Sequence, residues 1–337
     1  MNKQINHLIK QNIIASGDKR ELEKVANQFS VAITDEMIAL IDQNDPDDPI
    51  RKQFTPSKEE LNITAEERED PIGDHTFEPV KGITHRYPDR VLLKPLHTCP
   101  VYCRFCFRRE DVGGDTKLMS PKELDDAINY IQNHDEIWEV ILTGGDPLLL
   151  SPRRLKKILD RLDNIAHVKI IRIHSKVPIV DPKRITNEVC NLLKSSSKTV
   201  WLAIHANHPK EITPAFKAAT DLLSDSGIPL ISQTVLLKGI NDNVQTLDLL
   251  FRKLVEHKVK PYYLHHPDLA KGTSHFRLPI EEGQDLMKTL HTQLSGICKP
   301  TYVYDIPGGF GKMPLTPTYY KTGEIEDIHG DIHDVKG

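Results

Sequence analysis

From residue 91 onward, short apolar runs alternate with amphipathic segments of about a dozen residues, and no other property of the chain restricts its fold so strongly. The runs at residues 91–96, 139–143, 168–174, 199–205, 228–237 and 260–264 read as strands, and the segments between them read as helices. Helix starts are well marked. Ser120-Pro121-Lys122-Glu123 is a capping box with proline at the first helical position, and Ser151-Pro152 repeats the cap-and-proline signal. Six strand-helix units in series imply a parallel sheet with right-handed crossovers. Six are too few for a closed eight-stranded barrel, so the predicted fold is α/β, an open, partial (β/α)6 TIM-like barrel. The predicted organisation is a helical and irregular N-terminal extension (1–80), the barrel (81–315) and a short C-terminal tail (316–337). Within the extension, residues 21–27 and 35–42 carry helical spacing, 44–49 is turn chemistry, and the acidic stretch 66–74 reads as a solvated connection.

A barrel places functional residues just after its strands, on the C-terminal rim. Cys99, Gly144-Gly145-Asp146-Pro147, His174-Ser175, His205 and Asp268 fall there, and Gln233 lies in the fifth strand. The first of these opens Cys99-Pro100-Val101-Tyr102-Cys103-Arg104-Phe105-Cys106, a C-x3-C-x2-C loop. Thiolates are soft ligands, and three from one loop can hold three irons of a [4Fe-4S] cube while leaving the fourth open for chemistry. A structural zinc site is the alternative, and it would need a fourth ligand from His97, Cys190 or Cys298. Five cysteines with three in one loop fit a reducing compartment, not a disulfide framework. A formal charge of -4 and a pI near 6.5 supply no basic field for nucleic acid, and no run of about 18 apolar residues suggests a membrane span. The reading is a soluble, cytoplasmic protein.

The cysteine loop followed by Phe107-Arg108-Arg109 resembles that of radical S-adenosylmethionine (SAM) enzymes, and specifically the lysine 2,3-aminomutase family, from about residue 45 to 317. The resemblance implies the radical SAM barrel and a cluster on Cys99, Cys103 and Cys106 whose open iron chelates SAM. It places Gly144, Gly145, Asp146, His205 and Gln233 near SAM. Asp305-Ile306-Pro307-Gly308-Gly309-Phe310-Gly311-Lys312 cannot be a phosphate loop, because Ile306 and Met313 stand where that motif needs Gly and Ser or Thr. It resembles the family segment whose lysine, here Lys312, forms the Schiff base with pyridoxal 5'-phosphate (PLP). Phe310 replaces the family's third glycine, which would narrow the loop or tilt the cofactor. Thr84-His85-Arg86-Tyr87-Pro88-Asp89-Arg90 resembles the PLP-contacting segment, with Arg86 for the phosphate and Tyr87 for a ring face.

By the same resemblance Arg108 binds the substrate carboxylate, and Asp268 and Asp305 hold the ε-ammonium of L-lysine. Two carboxylates suit a cation and repel an acidic side chain. The implied reaction is a 2,3-amino shift from L-lysine to β-lysine, supplied with electrons by an external donor. The alternatives are another amino acid such as arginine, β-lysine supply for elongation factor P modification, and a non-catalytic iron-sulfur protein, which leaves Lys312, Arg86 and Asp305 without a shared purpose. Residues 323–337 lack the cysteines with which long-tailed members bind zinc, and the position of the cross-subunit zinc ligand falls to Asn243. An assembly built on that zinc is not expected, while a homodimer is compatible with the sequence.

Overall fold

The computed structural model describes residues 3–113, 118–327 and 329–334. Its main sheet has nine strands in strict chain order. β1 (Ile83–Tyr87) runs antiparallel to β2 (Arg90–Leu96). Then β3 (Glu139–Gly144), β4 (Ile170–Ser175), β5 (Thr199–His205), β6 (Leu230–Val235), β7 (Val259–His265) and β8 (Thr301–Ile306) continue in parallel. β9 (Gly311–Pro314) turns back antiparallel on β8. β1 and β9 are the two edges, so the barrel is open, as expected. The six predicted strands are β2 to β7, and β8 extends the parallel run by one.

Burial alternates along the strands. In β4, Ile171 and Ile173 are buried against the helices, while Arg172 and His174 turn to the other face and line a cavity. The crossover helix Pro121–Gln132 starts as read: Ser120 Oγ accepts from Glu123 N–H at 3.2 Å, and the Glu123 carboxylate accepts from Ser120 N–H at 2.7 Å. Helix Pro152–Asp163 keeps proline in its first turn, but Ser151 makes no side-chain cap bond. It buries Leu155, Ile158, Leu159 and Leu162, about 1.5–3 kcal/mol for each side chain. Asn243 has a local role, accepting from Thr246 N–H at 2.9 Å to cap helix Val244–Glu256.

The N-terminal residues share the barrel's core. Leu8, Ile13, Ile50 and Phe54 belong to the same buried cluster as the sheet. The turn at 44–49 ends in Asp48, whose carboxylate accepts from Ile50 and Arg51 N–H at 2.9 Å and starts helix Pro49–Phe54. The expected solvated connection at 66–74 is overturned over much of its length: Glu67, Ile72, Gly73 and Asp74 are buried. Their polar groups find distant partners. Glu67 accepts from Gly272 and Thr273 N–H and pairs with Arg277, and Asp74 pairs with two arginines. Near the C-terminus, Tyr320–Lys321, Glu324–Glu326 and Ile332–Asp334 form a small antiparallel sheet, and Glu326 pairs with Lys288 at 2.5 Å.

Candidate active site

The cysteine loop is held from both ends of the chain. Tyr102 N–H donates to Ala32 O at 3.0 Å and Arg104 N–H to Gln53 O at 2.9 Å. Glu60, fully buried, accepts from Arg104 Nη2 at 2.5 Å and also pairs with Arg109. Burial pushes the Glu60 carboxyl up, but Arg104 and Arg109 outweigh it and leave it below its ordinary value. Arg109 in turn donates to Lys271 O and Gly272 O at 3.0 and 3.1 Å.

The glycine turn braces the same loop. Gly145 N–H donates to Leu96 O at 2.7 Å and Asp146 N–H to Thr98 O at 2.9 Å. A Cβ on Gly145 would lie 2.3 Å from Thr98 O, so only glycine lets the two backbones meet. Gly144 adopts φ +96°. The Asp146 carboxylate is spent internally: it accepts from Ser175 Oγ at 2.8 Å and from Lys176, Val177 and Leu148 N–H at 2.7, 3.1 and 3.1 Å. A ligand at this turn would meet mainly backbone.

Cys99, Cys103 and Cys106 line a cavity of about 590 Å³ that also takes in Arg86, Tyr87, Arg108, Gly144, Gly145, Asp146, His205, Gln233, Asp268, Asp305 and Lys312. The residues assigned cluster, cofactor or substrate roles from the sequence are therefore brought to one chamber. His97, Cys190 and Cys298, the candidates for the fourth ligand of the zinc alternative, do not line this chamber. The three free thiols fit a cluster held by thiolates instead.

At the other end of the chamber, β8 and β9 form a hairpin in which Asp305 and Lys312 are cross-strand partners. Lys312 Nζ is ion-paired with Asp305 and lies 3.2 Å from His265 Nδ1, and Lys312 N–H donates to Tyr87 Oη at 2.7 Å. Burial opposes ionising Asp305, but His265, 3.7 Å away, and the Lys312 ammonium hold its carboxyl below the usual range. Asp268 goes the other way: burial first and then Asp305 push it up to about 7, against the weaker pull of Lys312 and Arg108. Burial and nearby cations lower His265 to about 4 and His205 to about 3, so both rings are neutral. Phe310 departs from expectation. Its ring is 80% exposed and lies outside the chamber lining.

Arg108 and Arg86 meet at Asp74, which accepts from Arg108 Nε at 2.7 Å and Arg86 Nη2 at 3.2 Å. Arg86 Nε, His174 Nε2, His265 Nε2 and Asp268 Oδ1 are buried without hydrogen-bond partners. Unspent donors and an acceptor around one cavity fit polar, charged ligands such as an amino acid and a phosphate-bearing cofactor. Sequence reasoning missed Asp74, His265 and Tyr263 among the lining or bridging residues, while Arg90 fell inside the PLP-contacting segment without a stated role. His265 carried a usable signal, because it ends the strand just ahead of Asp268, where the rim rule looks.

Comparison with known proteins follows the same lines. The Radical SAM superfamily matches residues 93–250. An L-lysine 2,3-aminomutase from Clostridium subterminale is 46% identical over 304 residues, 89% of this chain and 73% of that protein. Another from Methanococcus maripaludis is 46% identical over 303 residues, 90% of this chain and 70% of that protein. A glutamate 2,3-aminomutase from Clostridioides difficile is 37% identical over 302 residues, 90% of this chain and 71% of that protein.

Proposed function

This chain belongs to the lysine 2,3-aminomutase family of radical SAM enzymes, and from that premise we propose how its residues divide the work of turning L-lysine into β-lysine. It is an isomerase, and its cofactors are a [4Fe-4S] cluster, SAM and PLP. When bound, the cluster and SAM supply a hydrogen-abstracting radical, and PLP supplies a carbonyl and a π-system that stabilise the migrating nitrogen. Cys99, Cys103 and Cys106 hold the cluster. The Gly144-Gly145 turn, His205 and Gln233 border SAM, and Asp146 acts by fixing that turn. Lys312 is the Schiff-base lysine, with Arg86 toward the phosphate and Tyr87 against the ring.

The observation that carries the choice of lysine is the pair Asp268 and Asp305 in the chamber that also holds Lys312 and the three thiols. Asp305, already ionised beside one ammonium, can pass to the substrate's ammonium when Lys312 is engaged with PLP. Asp268 releases its proton to solvent and pairs with the same ammonium as a carboxylate. The glutamate-specific relative makes the alternative concrete, but two buried carboxylates would repel a γ-carboxylate. Arg108, at the cysteine end, takes the α-carboxylate, so the two charged ends of lysine are held at separate places. The three free thiols call for a reducing compartment, in keeping with a cytoplasmic enzyme and an external reductant. Among the described residues no helix is long and apolar enough to cross a membrane.

The test is anaerobic incubation of the reconstituted protein with SAM, PLP, dithionite and labelled L-lysine, followed by chiral chromatography. β-Lysine that is lost in Cys103→Ala and Lys312→Ala upholds the assignment. SAM cleavage with lysine returned unchanged refutes the substrate choice while leaving the radical chemistry intact.

A further inference from the structure

The stretch at residues 66–74 reaches the loop after Asp268, the turn before Lys312, and both Arg86 and Arg108. Arg68 N–H donates to Leu269 O at 2.8 Å, beside Asp268, and Gly308 N–H donates to Pro71 O at 3.2 Å, in the turn before Lys312. Gly73 has φ +71°, and a Cβ there would lie 2.8 Å from the Gly308 carbonyl carbon. Backbone contacts thus lock the segment against two site loops at once. It delivers Asp74, only 2% exposed, between two guanidiniums that arrive from different elements, Arg86 from β1 and Arg108 from the cysteine loop.

The charge count is instructive. Two arginines and one aspartate leave one net positive charge facing the chamber, and neither arginine spends all its donors on protein. Arg86 gives Nη2 to Ile72 O at 2.5 Å and to Asp74, and Arg108 gives Nη1 to Thr143 Oγ1 at 3.4 Å and Nε to Asp74. One carboxylate therefore fixes the direction of both forks.

We propose that Asp74 is a positioning residue that orients Arg86 and Arg108 together, so that the cofactor phosphate and the substrate carboxylate depend on one shared counter-ion. This rests on the reading of those two arginines given above. A residue that merely anchored the fold would lower stability without linking two affinities. A mere competing counter-ion would weaken binding, and its removal would strengthen it.

The variants are Asp74→Asn and Asp74→Glu. PLP affinity is measured by absorbance titration of the cluster-containing protein without SAM or lysine, and the lysine KM is measured separately at saturating PLP. Asp74→Asn is expected to raise both the PLP Kd and the lysine KM about tenfold or more, the scale of a lost buried charged hydrogen bond, with iron content, SAM affinity and saturated kcat near wild type. Asp74→Glu keeps the charge but shifts the carboxylate by one methylene, and should weaken both by a smaller factor. If Asp74→Asn does not fold, Asp74→Glu carries the test alone: parallel weakening supports the proposal. Movement of only one parameter, no movement of either, or tighter PLP binding overturns it. Production of β-lysine by the wild type reports separately on the enzyme assignment, because the PLP titration needs no substrate.

Discussion

Asp268 offers a pH dependence that can be worked out before any measurement. Its carboxyl is pushed up to about 7 by burial and by Asp305, and Oδ1 has no partner. A cationic ligand needs the ionised form, so binding below the pKa must first expel a proton. The apparent dissociation constant then scales as one plus the ratio of proton concentration to the acid constant. With a pKa of about 7 that factor is ~1.1 at pH 8 and ~11 at pH 6, about a tenfold loss of affinity. Several of the chamber's other groups lie outside this window, and Asp146, which burial pushes up, is spent on four internal hydrogen bonds. Asp305 and Asp74 are held below the usual carboxylate range, His205 and His265 titrate near 3 and 4, and His174 lies well below its ordinary value. The assay is L-lysine binding to PLP-loaded, SAM-free protein between pH 6 and 8, read from the change in cofactor absorbance. Asp268→Asn should bind lysine about 10- to 100-fold more weakly at pH 8 and lose the slope. A flat wild-type profile, or a slope that survives in Asp268→Asn, would refute the reasoning.

Three further perturbations probe the scaffold. Glu60→Gln leaves two buried guanidiniums without a counter-charge and should cost about 3–5 kcal/mol. A lowered melting temperature and reduced iron per chain check it, and an unchanged melting temperature would contradict it. Because the folded Glu60 carboxyl is depressed, its contribution is present above the unfolded value of about 4.3 and lost as pH falls through the lower folded value. Gly145→Ala forces a Cβ to within 2.3 Å of Thr98 O, so the protein should keep its circular dichroism but fail to hold the cluster, as measured by iron content. Phe310→Gly should leave PLP affinity within about twofold, since an exposed ring outside the chamber contributes little. A larger change in the titration would show that the ring reaches the cofactor.

The sequence declared the barrel wherever a strand was apolar on the face that meets the helices and long enough to stand out. Thr301–Ile306 escaped because Asp305, on the chamber side of the strand, cuts its apolar run short, that side being free to be polar. The hairpin that pairs Asp305 with Lys312 was hidden for the same reason, although both residues were singled out. Asp74 could not be seen at all. Its burial is repaid by Arg108, 34 positions away, and Arg86, 12 away, and no local pattern distinguishes such a carboxylate from a solvated one. Asp146 was legible as a site residue but not as a brace, because its partners lie at the end of the next strand.

The chain-ordered sheet also bears on how the protein is made. Neighbouring parallel strands are joined by single crossovers and the antiparallel edges by hairpins, so the sheet can grow strand by strand as the polypeptide emerges. The clamp on the cysteine loop obeys a different schedule, since Arg109 donates to Lys271 O and Gly272 O across 162 and 163 positions of sequence. Closing so long a loop is the slow, late part of folding. The clamp is complete only once residues 271 and 272 have been synthesised, so a nascent chain that stalls before them should present three thiols on a loop held only by Ala32, Gln53 and Glu60, more open to oxidation than in the finished fold.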